Sequence, residues 1–99
     1  MKVYWLPGAI EDLREIRDYI AEDNPTAARE LAAHFYAAEE RVEEFPLLQP
    51  EGEIPGIREL VVRRYRCIIG YRIKPERIEL VWVFGPGQDR VAIAQRDPR

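Results

Sequence analysis

Ten residues, Ile20-Ala21-Glu22-Asp23-Asn24-Pro25-Thr26-Ala27-Ala28-Arg29, end one helical pattern and begin another, which forces the chain into a helical hairpin. Asn24 suits the N-cap, because its side-chain oxygen accepts from an orphan amide of the following helix. Pro25 fits the first helical position, where no backbone N–H is needed. Upstream, Ala9, Ile10, Leu13, Ile16, Tyr19 and Ile20 recur at three- and four-residue steps and predict a helix from Pro7 to about Glu22. Leu6, in the N-cap place of that helix, has no side-chain acceptor, so its start is the less secure of the two. Downstream, Ala28, Leu31, Phe35, Ala38, Val42 and Phe45 form a second seam, stopped by Pro46. Glu39, Glu40, Glu43 and Glu44 crowd the last turns of this helix. They oppose its macrodipole, which predicts a fraying end or a basic partner.

The flanks read as strands. Val3-Tyr4-Trp5 is β-branched and aromatic and stops at Pro7-Gly8. Pro46, Pro50 and Pro55, with Gly52 and Gly56, predict a loop over 47–56. Strands are then expected over Ile57–Arg64, Arg66–Ile73 and Arg77–Phe84, with a turn at Lys74-Pro75-Glu76. Leu60 and Val62 share one face of the first, and Ile78, Leu80, Trp82 and Phe84 share one face of the last. Short connections make these three an antiparallel meander. Gly85-Pro86-Gly87 ends the sheet, leaving 88–99 as a short strand or a loose tail. The expected class is α+β: an N-terminal strand, a two-helix hairpin and a three-stranded meander, in one domain over 1–99.

Composition removes several chemistries. There is no serine, so a Ser-His-Asp triad is impossible. His34 and Cys67 are each the only one of their kind, which leaves no zinc spacing and no disulfide within the chain. Both read as packed or partly solvated side chains, and neither a metal nor a cofactor is expected. Glu11, Asp12, Glu15 and Asp18, interleaved with Arg14 and Arg17, read as a solvated helix face. With no signal peptide or spanning segment in view, the expected compartment is the cytoplasm. Residues 1–49 carry five Lys/Arg against eleven Asp/Glu, and residues 50–99 carry ten against seven. The helices are therefore acidic and the strand half is basic.

That basic half supplies the candidate patch: Arg58, Arg63, Arg64, Arg66 and Arg72, with Tyr65, Tyr71 and Arg77 among them. Strand arginines either keep a sheet hydrated or bind phosphates and carboxylates through their forked donors.

In this order, four stretches resemble the ParE/RelE superfamily of type II toxin–antitoxin toxins, and the ParE branch more closely. They are Trp5 to Leu13, Asp18 to Ala28, Glu43-Glu44-Phe45-Pro46 with Pro55 to Leu60, and Tyr71-Arg72-Ile73 with Ile78 to Phe84. The resemblance implies a compact toxin wrapped by a cognate antitoxin. It implies one of two targets: DNA gyrase, inhibited by binding, or mRNA in the ribosome, cut by a RelE-type nuclease. A nuclease would use Arg66, Tyr71 and Arg72, with Arg66 kept on the strand face by a two-residue shift. A non-toxic interaction domain is the third reading. The chain departs from the nuclease pattern at Pro86-Gly87-Gln88, where basic residues are expected, and its net charge of −3 suits ribosomal RNA poorly. These departures favour the gyrase-type toxin, with no confident catalytic residue. The antitoxin is expected beside the hairpin, at Leu13, Tyr19, Ile20, Leu31 and Phe35.

Overall fold

The computed structural model describes residues 1–96. Strand β1 (Lys2–Trp5) leads into helices α1 (Pro7–Asp23) and α2 (Pro25–Glu44). Strands β2 (Arg58–Val62), β3 (Cys67–Ile73) and β4 (Arg77–Phe84) follow, then a short helix α3 (Arg90–Gln95). The hairpin forms as its sequence dictates: the Ala27 amide donates to Asn24 Oδ1 at 3.0 Å, with Pro25 in the first turn. At the start of α1, Leu6 makes no side-chain cap.

The sheet order is β1-β4-β3-β2. Strands β2, β3 and β4 form the antiparallel meander, and β1 adds to β4 in parallel, so the sheet is mixed. A helical hairpin between β1 and the meander supplies the long crossover that a parallel pair requires. The hairpin covers one sheet face and buries Ile16, Leu31, Phe35 and Val42 against Leu60, Ile69, Tyr71 and Leu80.

Three expectations need correction. Ile78, Leu80, Trp82 and Phe84 do not share a face. Tyr71 pairs with Leu80 and Gly70 with Trp82, so Val81 is an extra residue on β4. This bulge reverses the alternation. Ile78, Leu80 and Val83 face the hairpin, while Val81, Trp82 and Phe84 belong to a second cluster with Ile57 and Ile93. Gly70 makes room for that cluster, because a Cβ there would lie 2.1 Å from Trp82 Nε1.

Residues 88–96 are neither strand nor loose. Asp89 caps α3 by accepting from the Val91 and Ala92 amides, and Ile93 is buried on the second cluster. The remainder of the expected tail, 97–99, lies outside the described residues.

Asp12 does not belong to a solvated face: it is 2% exposed. Its Oδ2 accepts from the Val83 amide at 3.0 Å, and Arg96 grips both oxygens at 2.8 and 2.6 Å. One aspartate thereby ties α1 to β4 and to the end of α3.

Candidate functional site

The arginines and tyrosines of the strand half do not converge. Tyr71 is 0% exposed, and its hydroxyl donates to the Pro46 carbonyl at 2.7 Å. Burial raises the phenol above its ordinary pKa, and the Arg58 charge and the Gln49 backbone oppose that only in part. A phenol so placed stays neutral and faces the helices. Arg58, its cross-strand partner, donates to the Leu47 and Gln49 carbonyls. Both side chains thus hold the loop that follows α2.

Arg72 lies on the opposite sheet face, half-buried, and its Nε donates to Glu79 Oε1 at 2.6 Å. Arg77 reaches the other oxygen of Glu79 and lies over the Tyr4 ring. Burial pushes the Glu79 carboxyl up, but the hydrogen bonds and charges of Arg72 and Arg77 outweigh it and hold it below the ordinary value.

The remaining patch residues gather at the β2–β3 connection. Arg63, Arg64 and Tyr65 form a 3₁₀ turn, and Arg66 follows in the left-handed region at φ 54°. Arg66 therefore precedes β3, and a strand-face argument does not apply to it. A non-glycine residue there marks a conformation fixed by its surroundings. Arg64 pairs with Glu30 at 3.2 Å, whereas Arg63 and Arg66 are exposed and make no ion pair among the described residues. Between this turn and the hairpin tip lies an open groove of about 500 Å³, lined by Tyr19, Asn24, Arg64, Tyr65, Arg66 and Pro86 among others.

The hairpin residues also divide. Leu31 and Phe35 are core side chains at 3% and 2% exposure, while Leu13 and Ile20 are half-buried and Tyr19 is exposed. The accessible outer groove consists of two hollows of about 280 Å³ each, which share Ile10, Leu13 and Ala32. Arg14, Arg17 and Arg29 rim one, and Trp5, Tyr36 and Glu39 border the other. Ile10 and Tyr36, both outside the predicted set, are its large exposed apolar members. Ile10 was visible in the apolar stripe, but its position at the stripe's edge appears only once α2 is packed.

His34 meets Tyr65 edge-on at 5.3 Å. Cys67 is buried, and desolvation pushes its thiol up to about 12, so it is an inert core residue. Among the described residues, no group of three His, Cys, Asp or Glu side chains could hold a metal. No described helix is long and apolar enough to cross a membrane.

The family described as ParE toxin of type II toxin-antitoxin system, parDE, matches residues 3–91. The chain belongs to the ParE toxin family. Y4kP of Sinorhizobium fredii (strain NBRC 101917 / NGR234), named as a candidate toxin, is 34% identical over 82 residues, 83% of this chain and 84% of that protein. A chain from the chromosomal ParDE TA system from P. aeruginosa superposes with a TM-score of 0.77 at 20% identity, covering 86% of this chain and 95% of that one. That likeness is one of fold: strand, helical hairpin and meander recur in the same order. The ParE match ends before Arg96, so the partner that closes on Asp12 lies beyond the matched residues.

Proposed function

We propose that this ParE-family toxin acts by binding and inhibiting DNA gyrase, with no nuclease step, and that a cognate antitoxin neutralises it. The observation that carries this reading is the commitment of Tyr71 and Arg72 to the fold. A general acid or base must reach the proton it moves, and a phenol at 0% exposure, bonded to the Pro46 carbonyl, cannot reach an RNA strand. Arg72 is engaged by Glu79 in the same way. Of the three candidate nuclease residues, only Arg66 is exposed.

The outer groove of the hairpin is the proposed antitoxin seat. Its apolar floor at Ile10, Leu13 and Ala32, bordered by arginines on one side and Glu39 on the other, fits an amphipathic helix with charges of both signs. Gyrase as the target places the protein in the cytoplasm.

The test is gyrase supercoiling with the purified chain. Inhibition at micromolar protein, relieved by the product of the adjacent gene, is expected. Intact supercoiling together with cleaved ribosome-bound mRNA would replace the reading with the RelE-type one. Absence of growth arrest on induction would replace it with a non-toxic interaction domain.

A further inference from the structure

The loop after α2 combines an anchored backbone with outward apolar side chains. Phe45 is 53% exposed, Leu47 70% and Leu48 62%. Isolated exposed leucines are ordinary, but three large apolar side chains within four residues form a patch. The loop beneath them is not slack. Tyr71 holds the Pro46 carbonyl, and Arg58 holds those of Leu47 and Gln49. Buried and half-buried strand residues thus fix the backbone while its apolar side chains remain in water.

Beside this patch lie Glu40, Glu43 and Glu44, all exposed and without an ion-pair partner among the described residues. They stand in the last turns of α2, where negative charge is unfavourable and Arg41 is the one basic residue to offset it. A cation brought to this end would relieve that repulsion, and an apolar surface would cover the leucines.

We propose that the C-terminal end of α2 and its loop form a preorganised docking surface for a basic amphipathic segment of a partner polypeptide. Leucine-type side chains of the segment cover Leu47 and Leu48, and its lysines or arginines face Glu40, Glu43 and Glu44. Because the loop is already ordered, docking carries little conformational cost. This surface shares no lining residue with the hairpin groove and does not depend on what the toxin inhibits.

Fluorescence anisotropy with two labelled 18-residue helical probes, one of Leu and Lys and one of Leu and Glu, tests the proposal on the full chain. The Leu/Lys probe is expected to bind at least tenfold more tightly than the Leu/Glu probe, and more weakly as salt rises. Leu47→Ser/Leu48→Ser and, separately, Glu40→Gln/Glu43→Gln/Glu44→Gln should each weaken the Leu/Lys probe about tenfold or more. All five side chains are exposed, so Leu47→Ser/Leu48→Ser should keep the wild-type thermal midpoint, and the triple glutamine variant, which removes unfavourable charge, should match or exceed it. Equal affinity for wild type and variants, or no binding, overturns the proposal. Wild-type dimers in sedimentation velocity that the Leu47→Ser/Leu48→Ser variant abolishes would also overturn it, assigning the surface to a second copy of the chain.

Discussion

Asp12 and Glu79 are both 2% exposed, and both are clasped by arginine, yet they do different work. Glu79 is held from within the sheet: Arg72 is its cross-strand neighbour on β3, and Arg77 precedes it by two residues on β4. Asp12 is held from afar, by the Val83 amide and by Arg96 at the far end of the chain. The first carboxylate stiffens one end of a sheet that pairing already defines. The second joins three elements that share no ladder. A buried carboxylate can therefore serve local rigidity or tertiary assembly, and its partners decide which.

The sharpest test of this contrast removes each carboxylate. Glu79→Ala strands Arg72, whose side chain is only 13% exposed, without its counter-ion. A loss of about 3–5 kcal/mol in urea unfolding is expected. Asp12→Ala should cost less, about 2 kcal/mol, chiefly for the orphaned Val83 amide. The Arg96 side chain is 38% exposed and can turn to water. The distribution of the damage matters more than its size. Hydrogen exchange in Asp12→Ala should quicken in α3 and at Val83 while β2 and β3 keep their protection. Uniform loss of protection would break the distinction between the two sites.

The contrast also explains what the sequence disclosed. The hairpin was legible because Asn24 and Pro25 act on their immediate neighbours, and Asn24 Oδ1 does receive the Ala27 amide. Strand β4 was legible in extent, since Arg77–Phe84 is bounded by turn residues. Its faces were not, because a bulge at Val81 arises from pairing with β3 and leaves no local mark. Asp12 sits among charged residues with helical spacing, and its partner is 84 positions away. No window of sequence joins the two. Helix α3 had one local signal, Asp89 before Arg90, but six residues are too few to establish a period. The candidate patch failed to converge for a similar reason. Arg58 faces the loop after α2, Arg72 faces Glu79, and Arg63 to Arg66 lie on a turn, so a list of arginines could not reveal their separate tasks.

Acid should act on the Glu79 site through the same arginines. Its carboxyl is held below the ordinary 4.5, so the unfolded chain takes up a proton at higher pH than the folded one. The stability this site contributes is complete above that value and drains away as pH falls through the lower folded one. The urea midpoint should therefore drop on acidification, and Glu79→Gln should flatten that part of the profile. An unchanged profile would mean that Arg72 and Arg77 do not favour the ionised form.

The smallest expected effect separates the two arginines themselves. Arg77 is 51% exposed and reaches Glu79 from the rim, over the Tyr4 ring. An ion pair open to water on one side is worth about 0–1 kcal/mol, so Arg77→Ala should lower stability by no more than that. Arg72, already in place and nearly out of solvent, keeps the carboxylate satisfied without it. If Arg77→Ala instead matches Glu79→Ala in urea, the exposed arginine is the one that holds the charge. The site would then depend on its rim, and its likeness to the Asp12–Arg96 clasp, where a half-exposed arginine closes over a buried carboxylate, would outweigh the difference between the two sites.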